Sequence, residues 1–286
     1  MEKDFSTVSP SAVGLLLLKT FADIPFARQA AEYMFVQDAI NQTAEKLQTS
    51  NAAAWRLLHF ESRYKTVSEA LERLNITNII EISSGFSFRG LEMTCKDENV
   101  YYVDTDLPGI ISTKTAVLNN LVQPLPANFS IAPLNVLDEK AFTAIASGLP
   151  PGPLAIVNEG LLVYLNLEEK QQLCSIIAGI LRERGGYWIT ADIYVKQTVK
   201  VEYDENTRKF LDAHNVEENK FEDYMDAEKF FTSCGFTIKE RTMRPLQKLN
   251  AWQYLNSANW QPDQNNTTAT YGKLGCLGLT DWFEHL

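Results

Sequence analysis

The pattern of apolar and polar residues divides the chain into a helical first part and a second part in which strands and helices alternate. Apolar residues recur at helical spacing in three early segments, which predicts helices over Ala12–Lys19, Phe26–Leu47 and Ala52–Leu74. No strand pattern occurs before about residue 77. We therefore expect residues 1–76 to form an N-terminal helical cap rather than an independent domain.

Five short β-rich runs predict the strands of the second part, at Asn78–Ile82, Val100–Val103, Phe129–Leu134, Leu154–Val157 and Gly186–Ala191. Helical patterns separate these runs at Phe88–Cys95, Gly109–Leu121, Glu139–Ala146 and Leu167–Arg184. Strands that alternate with helices favour right-handed βαβ units and a parallel sheet.

The last third of the chain departs from this alternation. Residues at about 195–225 are polar and charged, which predicts a helix-containing insertion. We expect a helix over Asp226–Cys234, a strand over Phe236–Lys239 and a final strand over Lys273–Trp282. Residues 77–286, with the insertion, are expected to form one structural unit with the cap.

Composition and charge narrow the class of protein. Apolar residues make up 45% and charged residues 22%, as in an ordinary globular chain. The formal net charge is -10 at pH 7 and no long basic run occurs, so we expect neither nucleic acid nor membrane as a partner. The four cysteines and three histidines are scattered, and the start of the chain does not resemble a signal peptide. We expect a cytoplasmic protein without a bound metal.

Polar residues follow the predicted strands, at the edge of the sheet where parallel α/β proteins bind ligands. The turn Ser83–Gly85 follows the first strand, and Asp104 ends the second, 23 residues after Glu81. This turn lacks the G-x-G-x-x-G pattern that a pyrophosphate needs, whereas Asp104 is placed to bind a ribose diol. A ribose without a pyrophosphate points to S-adenosylmethionine rather than NAD.

Three motifs resemble those of the leucine carboxyl methyltransferase family of class I methyltransferases. Residues 82–89 (ISSGFSFR) are similar to the family's first motif, LGAGLDTR. Residues 103–108 (VDTDLP), followed by Lys114, are similar to its EVDxP segment and downstream lysine. Residues 158–165 (NEGLLVYL) are similar to AEGLLxYL, the most specific of the three. The resemblance covers about residues 6–192 and implies S-adenosylmethionine-dependent methyl transfer.

The resemblance also implies a fold. It implies a Rossmann-like, doubly wound and mostly parallel seven-stranded sheet with an N-terminal helical cap and an antiparallel C-terminal strand. The strand predicted at Phe236–Lys239, preceded by a helix, suits the antiparallel strand pair that ends this fold.

The resemblance assigns three candidate cofactor residues to the ends of the first, second and fourth strands. Gly85 would pass close to the methionine part of the cofactor, and Asp104 would hold the ribose hydroxyls. Glu159 would lie below the methionine amino group. Glu81, at the end of the first strand, is a further candidate.

Three more candidates lie elsewhere. Arg63, in the helix before the first strand, would pair with the cofactor carboxylate, for which an arginine offers a bidentate partner. Asn135, with Val136 beside it, would face the adenine.

The chain departs from the family pattern at Ser83, where the family has a glycine, and at Ser87, where the family has an aspartate.

Methyl transfer from a sulfonium requires alignment of the acceptor oxygen and exclusion of water. A carboxylate acceptor needs no general base, but it needs a cation, and the candidates are Lys19, Lys196, Arg241 and Arg244. A hydroxyl acceptor benefits from a base. Asp192, which follows the fifth strand, is the candidate catalytic base, with His214 as the alternative.

Tyr164 is the second candidate catalytic residue. It belongs to a set of aromatic residues that could line an acceptor pocket, the others being Phe21, Phe26, Tyr33, Tyr194 and Tyr203.

Three functions stay open at this point. The leading hypothesis is an O-methyltransferase that acts on a carboxylate or hydroxyl oxygen of a small molecule. The departures at Ser83 and Ser87 motivate a second hypothesis, a regulatory protein that binds the cofactor or its product without catalysis. The third, an NAD(P)-dependent oxidoreductase, is disfavoured by the missing glycines. The residues do not indicate an oligomeric state.

Overall fold

The computed structural model describes residues 9–196, 205–242, 245–255 and 280–285. Four helices precede the first strand: α1 (Ser9–Lys19), α2 (Ala27–Met34), α3 (Gln37–Thr49) and α4 (Asn51–Leu74). Strands and helices then alternate as β1 (Asn78–Ile82), α5 (Arg89–Lys96), β2 (Tyr101–Asp106), α6 (Pro108–Leu121), β3 (Phe129–Pro133), α7 (Glu139–Gly148), β4 (Leu154–Asn158), α8 (Leu167–Arg184) and β5 (Gly186–Thr190). The last elements are α9 (Glu205–Ala213), α10 (Tyr224–Ser233), β6 (Phe236–Thr242) and β7 (Thr280–His285). Short 3-10 helices lie at Leu162–Tyr164, Leu246–Lys248 and Asn250–Tyr254.

The alternating section forms an α/β fold around a parallel sheet, as predicted. Strands β1 to β5 pair in parallel in the order β3-β2-β1-β4-β5. Strand β7 runs antiparallel to β5, and β6 runs antiparallel to β7 at the edge. The predicted final strand overlaps β7, but its first residues, 273–279, lie outside the described part of the chain.

The two faces of the sheet are both covered, which explains the continuous apolar strands. Strand β4 shows the arrangement, because its alternate residues enter different hydrophobic cores. Ile156 packs in a core with α7, α8 and α10, and Val157 packs in a core with α1, α2, α4 and α6. All five residues of β4 are buried, as is typical of a strand with helices on both sides.

The predicted helix over Phe26–Leu47 is wrong, because this segment forms two helices, α2 and α3. The chain between them is extended at Phe35 (φ -123°, ψ 150°) and at Val36 (φ -71°, ψ 148°). Phe35 packs against the core that α2 shares with the sheet, while Val36 is 74% exposed. Neither residue is a glycine or a proline, so helical periodicity alone does not reveal the break.

A buried carboxylate joins the first part of the chain to its last third. Glu61 in α4 is 1% exposed and accepts hydrogen bonds from the backbone amides of Asn250 (3.0 Å) and Ala251 (2.7 Å). These amides begin a 3-10 helix, whose first N–H groups have no partner within the helix. The carboxylate therefore fixes this helix against α4.

None of the described helices is long and apolar enough to cross a membrane.

Candidate functional site

The candidate site lies where the strand order of the sheet reverses, between β1 and β4. These strands are neighbours in space, and Ile82 of β1 is in register with Asn158 of β4. The turns that follow them, Ser83–Gly85 and Glu159–Gly160, therefore leave the sheet side by side. This switch point is the usual ligand crevice of open α/β sheets.

A hydrogen bond to an aspartate of β2 fixes the backbone of the turn after β1. Its backbone has positive φ at Ser83 (52°) and at Gly85 (50°). The Gly85 amide donates to Asp106 Oδ2 at 2.7 Å, and the other carboxylate oxygen accepts from the Leu107 amide at 2.7 Å. The sequence analysis missed this role of Asp106, although its position two residues after Asp104 puts it on the same face of β2.

Asp104 is completely buried in β2, two residues before the strand ends, opposite a buried lysine. Its Oδ2 lies 2.7 Å from Lys114 Nζ, which also donates to Ser84 Oγ at 3.0 Å. Apart from this ion pair, neither carboxylate oxygen has a hydrogen-bond partner among the described residues. Burial raises the pKa of Asp104 to about 6, against the opposing charge of Lys114. The carboxylate can therefore accept further hydrogen bonds.

Glu81, a predicted cofactor residue, lies beneath the site and is surrounded by donors from the protein. It is 1% exposed and accepts from Arg89 Nη1 at 2.8 Å, from Ser87 Oγ at 3.3 Å and from the Tyr102 hydroxyl. This arrangement favours a role in holding the β1 turn rather than direct contact with a ligand.

Glu159, just after β4, is bound by two arginines. Arg89 Nη2 donates to Glu159 Oε1, and Arg63 Nε lies 3.8 Å from Glu159 Oε2. Burial alone would raise the pKa of Glu159, but the charges of Arg89, Arg63 and Lys19 outweigh it and hold the pKa below its usual range. Glu159 is therefore an anion in the folded protein near neutral pH.

Arg63 reaches the site from α4, which begins with a Ser50 cap that accepts from the Ala53 amide at 3.3 Å. Its side chain is 4% exposed, and its Nε makes no hydrogen bond to the described residues. Burial opposes the charge of Arg63, but Tyr194, Asp192 and Glu159 raise its pKa. The result is a permanent cation with an unused donor.

Lys19, the last residue of α1, adds a third positive charge to the cluster. Burial lowers its pKa, Glu159 opposes this shift, and Arg63 and Arg89 lower the pKa further. Arg89, Arg63 and Lys19 thus all act on Glu159, while the Asp192 carboxylate also acts on Arg63.

The two predicted residues after β3 lie at the same edge of the sheet, two strands away from β1. The chain is held there by the Leu134 amide, which donates to the Asp106 carbonyl at 2.8 Å. Asn135 is half-buried, and its Oδ1 accepts from the Leu137 amide at 3.1 Å. Val136 is 6% exposed and packs in the hydrophobic core.

Asp192, the predicted base, holds the turn after β4. It is 1% exposed, and its Oδ2 accepts from the amides of Leu161 and Leu162 (the latter at 2.6 Å) and from Asn158 Nδ2 at 3.3 Å. Burial raises the pKa of Asp192, while Arg63 and the backbone amides oppose the rise. These contacts favour a positioning role.

Tyr164 lies in the 3-10 helix after β4, below α1 and α9. Its hydroxyl is 3.5 Å from Ser11 Oγ, and burial raises its pKa. Its ring packs edge-on against Phe210 (6.3 Å between centroids) and His214 (5.9 Å). The insertion at about residues 195–225 therefore contacts the candidate site at Tyr164.

Other candidates are dispersed. Tyr33 is 49% exposed, Phe21 packs against Tyr254, and Lys196 pairs with Glu222. Tyr203 and Arg244 lie outside the described residues, as does the side chain of Arg241.

Sequence reasoning also missed a polar cluster beside Arg63. The Tyr194 hydroxyl accepts from Arg63 Nη1 and lies 3.0 Å from His59 Nε2. The spacing of His59 and Arg63 on one helix is a signal, but nothing local indicates that a residue 135 positions after His59 and 131 after Arg63 contacts both. In the described part of the chain, no group of three or more His, Cys, Asp or Glu residues could hold a metal ion.

The comparison with solved structures shows a shared fold. A DUF574 family protein from Streptomyces avermitilis is 13% identical, with a TM-score of 0.53, and the match covers 94% of this chain and 99% of that chain. A chain of the complex between the Haloferax volcanii methyltransferase activator Trm112 and a methyltransferase is 12% identical, with a TM-score of 0.50 and coverage of 78% and 89%. LepI in complex with S-adenosylmethionine is 10% identical, with a TM-score of 0.45; the match covers 73% of this chain and 43% of LepI.

Sequence comparison identifies the family. No curated protein matches the chain. The family model of leucine carboxyl methyltransferase matches residues 13–178, more than half of the chain and all of the strand ends from β1 to β4. The chain therefore belongs to the leucine carboxyl methyltransferase family of S-adenosylmethionine-dependent methyltransferases.

Proposed function

We propose that this protein is an O-methyltransferase that moves a methyl group from S-adenosylmethionine to a carboxylate or hydroxyl oxygen of a small molecule. One observation carries the proposal. Two buried groups of opposite charge, the Asp104 carboxylate and Arg63 Nε, have no hydrogen-bond partner among the described residues beyond their ion pairs with Lys114 and Glu159. They reach the switch point from β2 and from α4. A ligand with both a diol and a carboxylate would satisfy both groups.

The residues present fit S-adenosylmethionine. Asp104 would accept from the ribose hydroxyls, Arg63 would donate to the methionine carboxylate, and Glu159 would attract the ammonium group. The Gly85 turn would pass the methionine part, and Asn135 would lie towards the adenine. When bound, the cofactor supplies a methyl group made electrophilic by the sulfonium.

The surroundings support an acceptor that is already an anion. Glu81 accepts from Arg89, and one oxygen of Asp192 accepts from the Leu161 and Leu162 amides, so both carboxylates hold the protein's own turns. Burial and the charge of Arg63 lower the pKa of His59 to about 3, which makes this histidine a poor base. A carboxylate acceptor needs no base, and Lys19 is the candidate cation to hold it. Tyr164 would position the acceptor.

A thermal-shift experiment tests the cofactor. S-adenosylmethionine, S-adenosylhomocysteine and NAD are added separately, each at saturating concentration. A ligand at about 100 times its Kd adds roughly 2.7 kcal/mol of stability, which corresponds to a shift of several degrees for a protein of this size. We expect a shift with the two adenosyl ligands and none with NAD. The absence of a shift with both adenosyl ligands would contradict the proposal.

A labelled-methyl assay tests the acceptor chemistry. The protein is incubated with methyl-labelled cofactor and with matched pairs of carboxylic acids and their alcohols. We expect the acids to be labelled and the esters formed to release methanol in mild base. Base-stable label on the alcohols would instead identify a hydroxyl acceptor.

A second candidate function is supported by Ser83. A serine with φ of 52° replaces the glycine of the family motif, so the turn has a strained conformation. A cofactor-binding regulatory protein with a degenerate first motif would tolerate this departure. It would show a thermal shift with S-adenosylhomocysteine but no methyl transfer to any acceptor.

We further propose that the protein is located in the cytoplasm. We also propose that residues 1–76 form a helical cap on the cofactor-binding domain. Shared packing supports the cap, because Leu16 of α1 and Val67 of α4 lie in the same hydrophobic core as Ile79 of β1. Separate expression of residues 77–286 tests it. An insoluble or unfolded product is expected.

A further inference from the structure

Arg63 is held by a polar contact that lies away from Glu159. Its guanidinium carbon lies 5.5 Å from the centre of the Phe60 ring and 5.8 Å from the centre of the Tyr194 ring. Its Nη1 donates to the Tyr194 hydroxyl, while its Nε lies 3.8 Å from Glu159 Oε2 and makes no hydrogen bond to the described residues. The hydrogen bond to the Tyr194 phenol therefore fixes the orientation of the Arg63 guanidinium plane, and with it the direction of the Nε–H bond.

The Tyr194 hydroxyl is itself held by a second residue of α4. His59 Nε2 lies 3.0 Å from it, and His59 precedes Arg63 by four residues, one helical turn. Burial, assisted by the charge of Arg63, lowers the pKa of His59 to about 3, so the ring is neutral near pH 7. A neutral ring fixes the phenol without adding a second positive charge beside Arg63.

Tyr194 also belongs to the segment that leads into the insertion. Its carbonyl accepts from the Phe221 amide at 3.0 Å, and the Lys196 amide donates to the Phe221 carbonyl at 2.8 Å. Phe221 packs against Phe230 and Phe231 in the core beside α10. The residue that holds Arg63 is therefore anchored to the end of the insertion.

We propose that Tyr194, supported by His59, is a positioning residue that directs the Arg63 guanidinium towards the carboxylate of the cofactor. This inference rests on the proposed function. It predicts that the phenol affects only ligands that carry the amino-acid carboxylate.

A comparison of two ligands distinguishes this positioning role from a general effect on ligand binding. S-adenosylhomocysteine carries the carboxylate, and 5′-methylthioadenosine has the same adenosine and thioether sulfur but neither the carboxylate nor the ammonium. Binding of both is measured by calorimetry for the wild type and for Tyr194→Phe. We expect the variant to bind S-adenosylhomocysteine about tenfold more weakly, the effect of one lost hydrogen bond to a charged group. Its affinity for 5′-methylthioadenosine should change less than twofold.

Tyr64→Phe is the matched control. It removes a phenol hydroxyl from the residue next to Arg63 in α4, where that hydroxyl donates to Glu92 at 3.2 Å and not to Arg63. We expect unchanged affinity for both ligands. An equal loss of both ligands in Tyr194→Phe, or no loss of either, would overturn the inference.

A double-mutant cycle shows whether the phenol acts through Arg63. In an Arg63→Met background, Tyr194→Phe should change the affinity for S-adenosylhomocysteine less than twofold. A tenfold loss in that background would overturn the inference, since the phenol would act on its own. If Arg63→Met does not fold, the two-ligand comparison with Tyr194→Phe alone decides. A wild type that binds neither ligand would contradict the proposed function itself.

Discussion

The ends of β2 and β4 each place a buried carboxylate at the site, but the two carboxylates differ in how readily they take up a proton. Asp104 has one cation, Lys114, and burial raises its pKa to about 6. Glu159 is nearly as deeply buried, yet Arg89, Arg63 and Lys19 hold its pKa below the usual range. The number of neighbouring cations decides the outcome, because burial acts on both groups in the same direction.

This difference suits the two roles proposed for them. A carboxylate that must attract an ammonium group needs to remain ionised at all times. A carboxylate that accepts hydrogen bonds from a diol needs only to be ionised at the working pH.

Removal of the shared arginine should have the largest effect. Arg89→Met leaves Glu81 and Glu159 without their main cation, and loss of one partner from a buried ion pair destabilises by about 3–5 kcal/mol. Urea denaturation measures the change. Arg28→Met is the control, because Arg28 forms only an exposed pair with Glu32 and should change stability by about 0.5 kcal/mol or less. A loss below about 1 kcal/mol for Arg89→Met would contradict the arrangement.

Removal of the single lysine should have a smaller and pH-dependent effect. In Lys114→Met, Asp104 can become neutral by taking up a proton, so we expect a loss of about 2–3 kcal/mol at pH 7. The folded-state pKa of Asp104 then lies further above its unfolded value. Stability therefore falls as the pH rises between these two pKa values, and the variant should be closest to the wild type near pH 5. Denaturation at pH 5 and pH 7 checks the sign, and a larger deficit at pH 5 would refute it.

Ligand binding should reveal the raised pKa of Asp104 directly. Protonation below about pH 6 removes the acceptor for the ribose hydroxyls, so affinity for adenosine should fall about tenfold from pH 7 to pH 5. Affinity for 2′,3′-dideoxyadenosine, which lacks both hydroxyls, should change little. Calorimetry at both pH values makes the measurement, and parallel losses for the two ligands would exclude Asp104 as the cause.

The turn between the two carboxylates should give the smallest effect. Ser83→Gly relieves a positive φ that glycine adopts without strain, which we expect to stabilise the protein by about 0.5–1 kcal/mol. Asn75→Gly is the control, because asparagine tolerates its φ of 50° at the end of α4 better than serine does. Thermal denaturation compares them. A destabilised Ser83→Gly would mean that the serine side chain contributes more than its backbone strain removes.

The sequence was sufficient to predict the parallel strands but not the break between α2 and α3. The first four residues of β4, Leu154–Val157, form a continuous apolar run, whose placement depends on local composition. The break at Phe35 depends on where the Phe35 ring packs in the folded core. The spacing of apolar residues along the chain carries no information about that packing.

The positions of the site residues could also be predicted better than their partners. The rule that ligands bind at strand ends predicts that Asp104 and Asp192 lie at one edge of the sheet. It does not show that one oxygen of Asp192 accepts from the amides of residues 161 and 162, whereas neither oxygen of Asp104 has a hydrogen-bond partner among the described residues beyond its ion pair with Lys114. Such contacts arise between segments far apart in sequence, as with Tyr194 and His59.

The Glu61 contact has a consequence for the order of events during synthesis on the ribosome. Glu61 and its amide partners at Asn250 and Ala251 are separated by 189 and 190 residues. At about 5–20 residues per second, the nascent chain carries this carboxylate for roughly 10–40 seconds before its partners exist. The helix that bears Arg63 and His59 therefore reaches its final surroundings only when most of the chain has been made.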